Sequence, residues 1–181
     1  MKVESGSNSS TIARYVAGAR TRPVPSEALD AARMCLVDWM AVCVGARSEE
    51  AGQAVRKVAA GWQMPGRATL LLGGRSGATV AALCNGTLAH CLDFDDTYVK
   101  ANTHTSAPLW GATLALGQEV GATEEEMLTA FVTGFEVAAR IGYGLGETVT
   151  ARGFHATGVF GRLGAAAACA VLLQLDEGAV Q

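Results

Sequence analysis

The sequence predicts an all-α protein, an irregular helical bundle. Apolar residues recur at three- and four-residue steps along most of the chain, which is the spacing of helices with one buried face. Thr123 followed by Glu126 forms a capping box in front of a long segment with this spacing. Only one short run, in residues 68–77, looks like a strand, and no repeat period is present.

The elements are predicted in chain order. A polar leader over residues 1–10 is expected to be disordered, and residues 11–181 are expected to form one helical domain. Helices are predicted in residues 11–20, 26–46 with Ser26 as the cap, 49–62, from 78 onward with an interruption at Asn85-Gly86, near Pro108, 123–142 and from about Thr157. Gly158, Gly161 and Gly164 are expected to let helix backbones approach closely.

Composition narrows the class of function. Half of the 181 residues are apolar and 17% are charged, so a face covered by a second copy or another domain is expected. The net charge is −3 and the basic residues are scattered, which argues against nucleic acid as a partner. The longest apolar run, residues 163–175, is too short to span a membrane. Because no secretory signal is recognisable, we expect a cytoplasmic protein with five reduced cysteines.

The densest group of polar residues is HCLDFDDTYVKANTHTSAP, residues 90–108. If the preceding helix continued through it, His90, Asp93 and Thr97 would share one face, with Asp96 at its border. Neighbouring carboxylates and histidines shift each other's pKa values, as general acid–base catalysis requires. A solvated helix end would show the same residues, and spacing alone leaves that alternative open.

Two further motifs carry histidines. His104 lies in a polar loop whose neighbours can fix its tautomer, although many loop histidines are ordinary surface residues. Arg152, Gly153 and His155 precede a predicted helix N-terminus, an arrangement that can hold a substrate carboxylate or can be a simple glycine turn.

Other chemical signatures are absent from the sequence. Its glycine-rich segments lack the endings of phosphate loops and dinucleotide fingerprints, and no H-E-x-x-H occurs. Three histidines that look isolated, without paired cysteines, give no metal signature. No cofactor and no metal are therefore expected.

Taken together, NGTLAHCLDFDDT, THTSAP, GATEEEMLTAFVTGFEVAARIG and ARGFHATGVFGRLGAAAACAVLLQLD resemble the N-terminal helical domain of the MmgE/PrpD family. The four motifs occur in the order and at the spacing of that family. The resemblance implies Asp93, His104 and His155 as catalytic residues, Thr97 and Arg152 as substrate contacts, and no metal or organic cofactor. The prolines that follow the two histidines in the family are replaced here, in HTS and HAT.

The resemblance also implies the reaction. The family transfers protons next to a carboxylate of di- and tricarboxylic acids, and we expect dehydration of a 2-methylcitrate-like acid, with decarboxylation of a cis-aconitate-like acid or epimerisation as alternatives. A second, α/β domain of the family supplies lysines, a histidine and a tyrosine, and the sequence ends at Gln181 before it. We therefore expect an incomplete site that needs a second-domain partner, and a homodimer; a non-catalytic binding or dimerisation module is the rival hypothesis.

Overall fold

Helices account for nearly all of the regular structure in residues 7–62 and 64–181, which are the residues that the computed structural model describes. The α-helices are α1 (Asn8–Ala17), α2 (Ser26–Gly45), α3 (Glu50–Gly61), α4 (Ala78–His90), α5 (Ser106–Val120), α6 (Glu124–Gly142), α7 (Gly146–Ala151), α8 (Arg162–Leu172) and α9 (Glu177–Val180). A π-helical turn, Thr157–Gly161, leads into α8. The predicted all-α class is confirmed.

The one predicted strand is a small hairpin. Strand β1 (Ala68–Thr69) pairs antiparallel with β2 (Arg75–Ser76). The buried Asn85 holds it in place, because its side chain accepts from Leu71 N–H at 3.0 Å and donates to Thr69 C=O at 2.8 Å. Asn85 therefore lies inside an unbroken α4, and the predicted interruption there is wrong.

The centre of the domain is the packing of α4, α5, α6 and α8. Helices α6 and α8 touch through their backbones, because a Cβ at Gly134 would lie 2.5 Å from Gly164 O and one at Gly164 would lie 2.6 Å from Gly134 O. A Cβ at Gly161 would lie 2.5 Å from Pro108 Cγ. The predicted role of glycines in close packing is thus confirmed for Gly161 and Gly164, whereas Gly158 faces open space.

Helix α2 closes one side of this core. Its Trp39 is fully buried, and the indole N–H donates to Ala107 C=O in α5. Trp110 of α5 stacks on Phe131 of α6 with ring centroids 4.4 Å apart. The aromatic contacts fix α5, and with it the loop that precedes α5, against the rest of the bundle.

The helix ends differ from the prediction at three places. Helix α1 begins at Asn8 with Ser7 as its cap, so residues 8–10 are helical, and residues 1–6 of the expected leader lie outside the described residues. Ser26 is the first residue of α2 and Pro25 precedes it as the cap. Pro108 is the third residue of α5, not the first.

The cysteines and the capping box follow the sequence prediction. All five cysteines are free, and burial raises the pKa of the Cys43 thiol to about 12. Thr123 caps α6 as predicted, because its hydroxyl accepts from Glu126 N–H while the Glu126 carboxylate accepts from Thr123 N–H. Among the described helices, none combines the length and the apolar character that crossing a membrane would need.

Candidate active site

The acidic segment forms a loop between α4 and α5. Helix α4 ends at His90, where Cys91 N–H closes the last turn on Thr87 C=O. Asp93 has a φ of +56°, a left-handed conformation that a helix excludes. The predicted continuation of the helix through residues 91–97 is therefore wrong. The loop nevertheless brings the polar side chains together, by folding back over the end of α4.

Asp95 is the centre of the cluster. Its side chain is fully buried, and its carboxylate lies between two imidazoles, with Oδ2 3.0 Å from Nδ1 of His90 and Oδ1 3.3 Å from Nδ1 of His104. A buried carboxylate needs such partners, because without them its charge would have lost its hydration for nothing in return. Asp95 thus links the last residue of α4 to the loop before α5.

His104 is held on two sides. Its backbone N–H donates to Thr157 Oγ1 at 3.0 Å, and its Nδ1 lies 3.1 Å from Asp95 C=O. Since a carbonyl only accepts, Nδ1 carries the proton and Nε2 of the neutral ring is free to act as a base. Nε2 lies 3.3 Å from Oδ1 of the exposed Asp93. The geometry gives His104 a basic nitrogen next to a solvent-facing carboxylate.

His155 reaches the cluster through His90. The Nε2 atoms of the two rings are 2.9 Å apart, so one of them must carry a proton and the other must not. Because Nδ1 of His90 donates to Asp95, neutral His90 accepts from His155, and protonated His90 donates to it. Adding a proton to His90 therefore changes which nitrogen of His155 is protonated. His104, Asp95, His90 and His155 form one hydrogen-bonded chain, called here the relay.

Two shifted pKa values follow from this packing. The hydrogen bond to Asp95 raises the pKa of His90, and its partial burial opposes that effect. Burial raises the pKa of Asp96, whose Oδ1 accepts from Ser106 N–H at 3.0 Å at the start of α5. Asp96 therefore anchors the loop to a helix N-terminus, where the helix dipole favours a carboxylate.

The two predicted substrate contacts lie at different distances from the relay. Thr97 is exposed, and its hydroxyl is 3.4 Å from Nδ1 of His104. Arg152 is exposed at the end of α7, before the turn that leads to His155. Among the described residues, no ion pair involving Arg152 connects it to the histidines.

The three histidines are therefore not isolated, as the sequence suggested. The sequence analysis left His90 and Asp95 out of the candidate site, although both lie in the polar motif. The missing signal was burial of Asp95, which a sequence does not display. His90, Asp93, Asp95 and His104 each place one possible ligand atom within 4.8 Å of the others, a spacing that a divalent cation could accept. The hydrogen bonds between them already occupy Nδ1 of both imidazoles.

Fold and site together define a helical domain in which two loops bring three histidines and two aspartates into contact. The chain belongs to the MmgE/PrpD family, because residues 10–181 match the MmgE/PrpD N-terminal domain.

Three relatives illustrate the similarity. The chain is 28% identical to the cis-aconitate decarboxylase-like protein oryM of Aspergillus oryzae, an alignment that covers 94% of this chain and 37% of that protein. It is 27% identical to cis-aconitate decarboxylase of Aspergillus terreus, over 95% of this chain and 36% of the relative. It is 35% identical to cis-aconitate decarboxylase of Homo sapiens, over 55% of this chain and 21% of the relative. The chain thus spans little more than a third of the two fungal relatives.

Proposed function

We propose that this chain is the helical part of a lyase that acts on small di- or tricarboxylic acids. The observation that carries the proposal is the relay, because it gives one face of the protein both a basic nitrogen and a transferable proton. His104 Nε2 is the base, and Asp93 shares the proton that it takes up. His155 is the acid, and it is supplied with its proton through His90. Thr97 and Arg152 contact the substrate.

The same groups serve two reactions. In dehydration of a 2-methylcitrate-like acid, His104 removes a proton next to a carboxylate, the new double bond forms, and the hydroxyl leaves as water with a proton from His155. In decarboxylation of a cis-aconitate-like acid, a C–C bond breaks, carbon dioxide leaves, and its electron pair ends on a carbon that a histidine protonates. The names of the three relatives support decarboxylation. Epimerisation would use the two histidines on opposite faces of one carbon.

Charge balance supports a site completed by another part of a protein. A tricarboxylate carries about three negative charges at neutral pH, and Asp93 and Asp95 add to the negative charge of the site. Arg152 alone cannot balance them. We therefore propose that a second-domain partner or a further segment of a longer protein supplies the remaining cations, and that the assembly is a cytoplasmic homodimer.

The test is a direct assay of both reactions. The chain, within the longest protein that contains it or mixed with a second-domain partner, is incubated with cis-aconitate and with 2-methylcitrate, and products are followed by proton NMR. We expect His104→Gln to lower the rate by about 100-fold or more, since a general base contributes on that order. Glu125→Gln, on the exposed first turn of α6, is the control and should keep the rate.

Two outcomes would count against the proposal. A His104→Gln rate within about twofold of the unmodified protein would remove His104 from the chemistry. A folded assembly that binds either acid and converts neither would favour the binding or dimerisation module.

A further inference from the structure

A pocket of about 490 Å³ opens on the side of His90 and His155. Its walls are mainly apolar, with Leu83 of α4 and Ala107 and Pro108 of α5 among them. Neither Asp93, Asp95 nor His104 lines it. The pocket is therefore a neighbour of the relay, reached through two imidazoles, and it is distinct from the acidic side of the cluster.

Gly158 keeps this pocket open. A Cβ built at Gly158 would meet no atom within 4 Å, whereas one at Gly161 would collide with Pro108. The glycine at position 158 is thus not needed for helix packing. Its effect is to leave empty space in the wall between His155 and the start of α8.

Arg162 provides the charge of the pocket. It is the first residue of α8, is exposed to solvent, and lines the pocket together with the two histidines. Within residues 7–62 and 64–181, no carboxylate forms an ion pair with its guanidinium. An arginine beside an apolar wall suits a ligand with one carboxylate and a compact alkyl group, because the planar guanidinium can donate two parallel hydrogen bonds to that carboxylate.

We propose that this pocket binds a small carboxylic acid with a compact alkyl group, with its carboxylate on Arg162 and its alkyl group against Leu83 and Ala107. The binding itself needs no catalysis. One consequence rests on the proposed function: in the lyase, the pocket would hold the uncharged arm of the acid substrate and so select among acids.

The experiment uses the three histidines as reporters. The imidazole signals of the ¹⁵N-labelled protein are assigned by replacing each histidine with glutamine, and 3-methylbutanoate or acetate is then titrated in at constant ionic strength. We expect the His90 and His155 signals to shift and saturate, with His104 less affected. We also expect 3-methylbutanoate to bind at least about fivefold more tightly than acetate, because its extra carbons leave water.

Two variants separate the charge from the space. Arg162→Gln should weaken binding of 3-methylbutanoate by about fivefold or more, since it removes the cation. Gly158→Leu should weaken it similarly by filling the pocket, and Gly61→Leu is its matched control, because a Cβ at Gly61 in α3 is equally unhindered. Circular dichroism and the His104 signal establish that each variant is folded.

Several results would overturn the proposal. Acetate binding as tightly as 3-methylbutanoate would show that the apolar wall contributes nothing, and unchanged binding in Gly158→Leu would place the ligand elsewhere. Saturating shifts of His90 and His155 without any turnover of tricarboxylates would support the pocket and count against the lyase. Turnover without such shifts would do the reverse.

Discussion

Replacing Asp95 with asparagine would remove a charge from the middle of the relay and keep the size of the side chain. The carboxylate accepts from His90 Nδ1 at 3.0 Å and faces His104 Nδ1 at 3.3 Å. Asparagine keeps one accepting oxygen, but its NH₂ group must point toward one of the two imidazole N–H groups. Asp95→Asn therefore loses one charge-assisted hydrogen bond and leaves buried donors facing each other.

The size of the effect follows from these contacts. Losing a hydrogen bond to a charged group, or leaving a buried donor unpaired, costs about 1–3 kcal/mol. The side chains of His90 and His104 are 28% and 18% exposed, so water relieves part of the loss. We expect a total destabilisation of about 2–3 kcal/mol at a pH where His90 is charged.

The effect should depend on pH in one direction. The hydrogen bond to Asp95 raises the pKa of His90 in the folded protein. A raised pKa contributes stability that is fully present below the unfolded pKa of histidine and is lost as the pH rises through the folded value. Asp95→Asn should therefore cost more stability at about pH 5.5 than at about pH 8.5, on either side of these pKa values.

Urea denaturation followed by circular dichroism at both pH values measures the difference. Asp38→Asn, at an exposed position of α2, is the control and should change stability little at either pH. Equal destabilisation by Asp95→Asn at pH values of about 5.5 and 8.5 would refute the argument that this carboxylate holds the proton of His90.

Four other substitutions test the fold and the relay. Gly134→Ala should lower the free energy of unfolding by about 1–3 kcal/mol by forcing α6 and α8 apart, whereas Gly61→Ala, at an open helix position, should not destabilise; urea titration measures both. Asn85→Leu should cost about 2–3 kcal/mol by leaving hairpin groups unpaired, and hydrogen exchange of the hairpin amides should rise. Thr123→Ala should lower the free energy of unfolding by about 1 kcal/mol through loss of the α6 cap. His90→Gln should shift the NMR titration of His155 without unfolding the protein, and an unchanged titration would break the relay.

Much of the fold was accessible from local sequence rules. The capping box of α6 and the apolar spacing of α2 depend on residues three and four apart, so a sequence displays them directly. The reading failed at Asn85 because asparagine before glycine usually marks a turn. Here the amide is satisfied by the backbone of β1 and of the turn after it, a contact across 14 and 16 residues.

The site was predicted in part for a similar reason. The motifs contained Asp93, Thr97 and His104, and the loop brings these three together through a fold-back that helical spacing does not describe. His90 and Asp95 acquire their importance from burial and from a contact with His155, 65 residues away from His90. No local pattern carries that information, because it depends on where α4 and α8 meet.

The π-helical turn at residues 157–161 makes the length of the chain part of the chemistry. Such a turn contains one more residue than an α-helical turn, and it lies between His155 and α8. Deleting one residue there would rewind the turn and swing everything before it by about 100° around the helix axis. His155 would then leave His90, and Thr157 would no longer meet the backbone of His104. Every side chain of the relay would still be present, yet their alignment would be lost, so the number of residues in this turn matters as much as their identity.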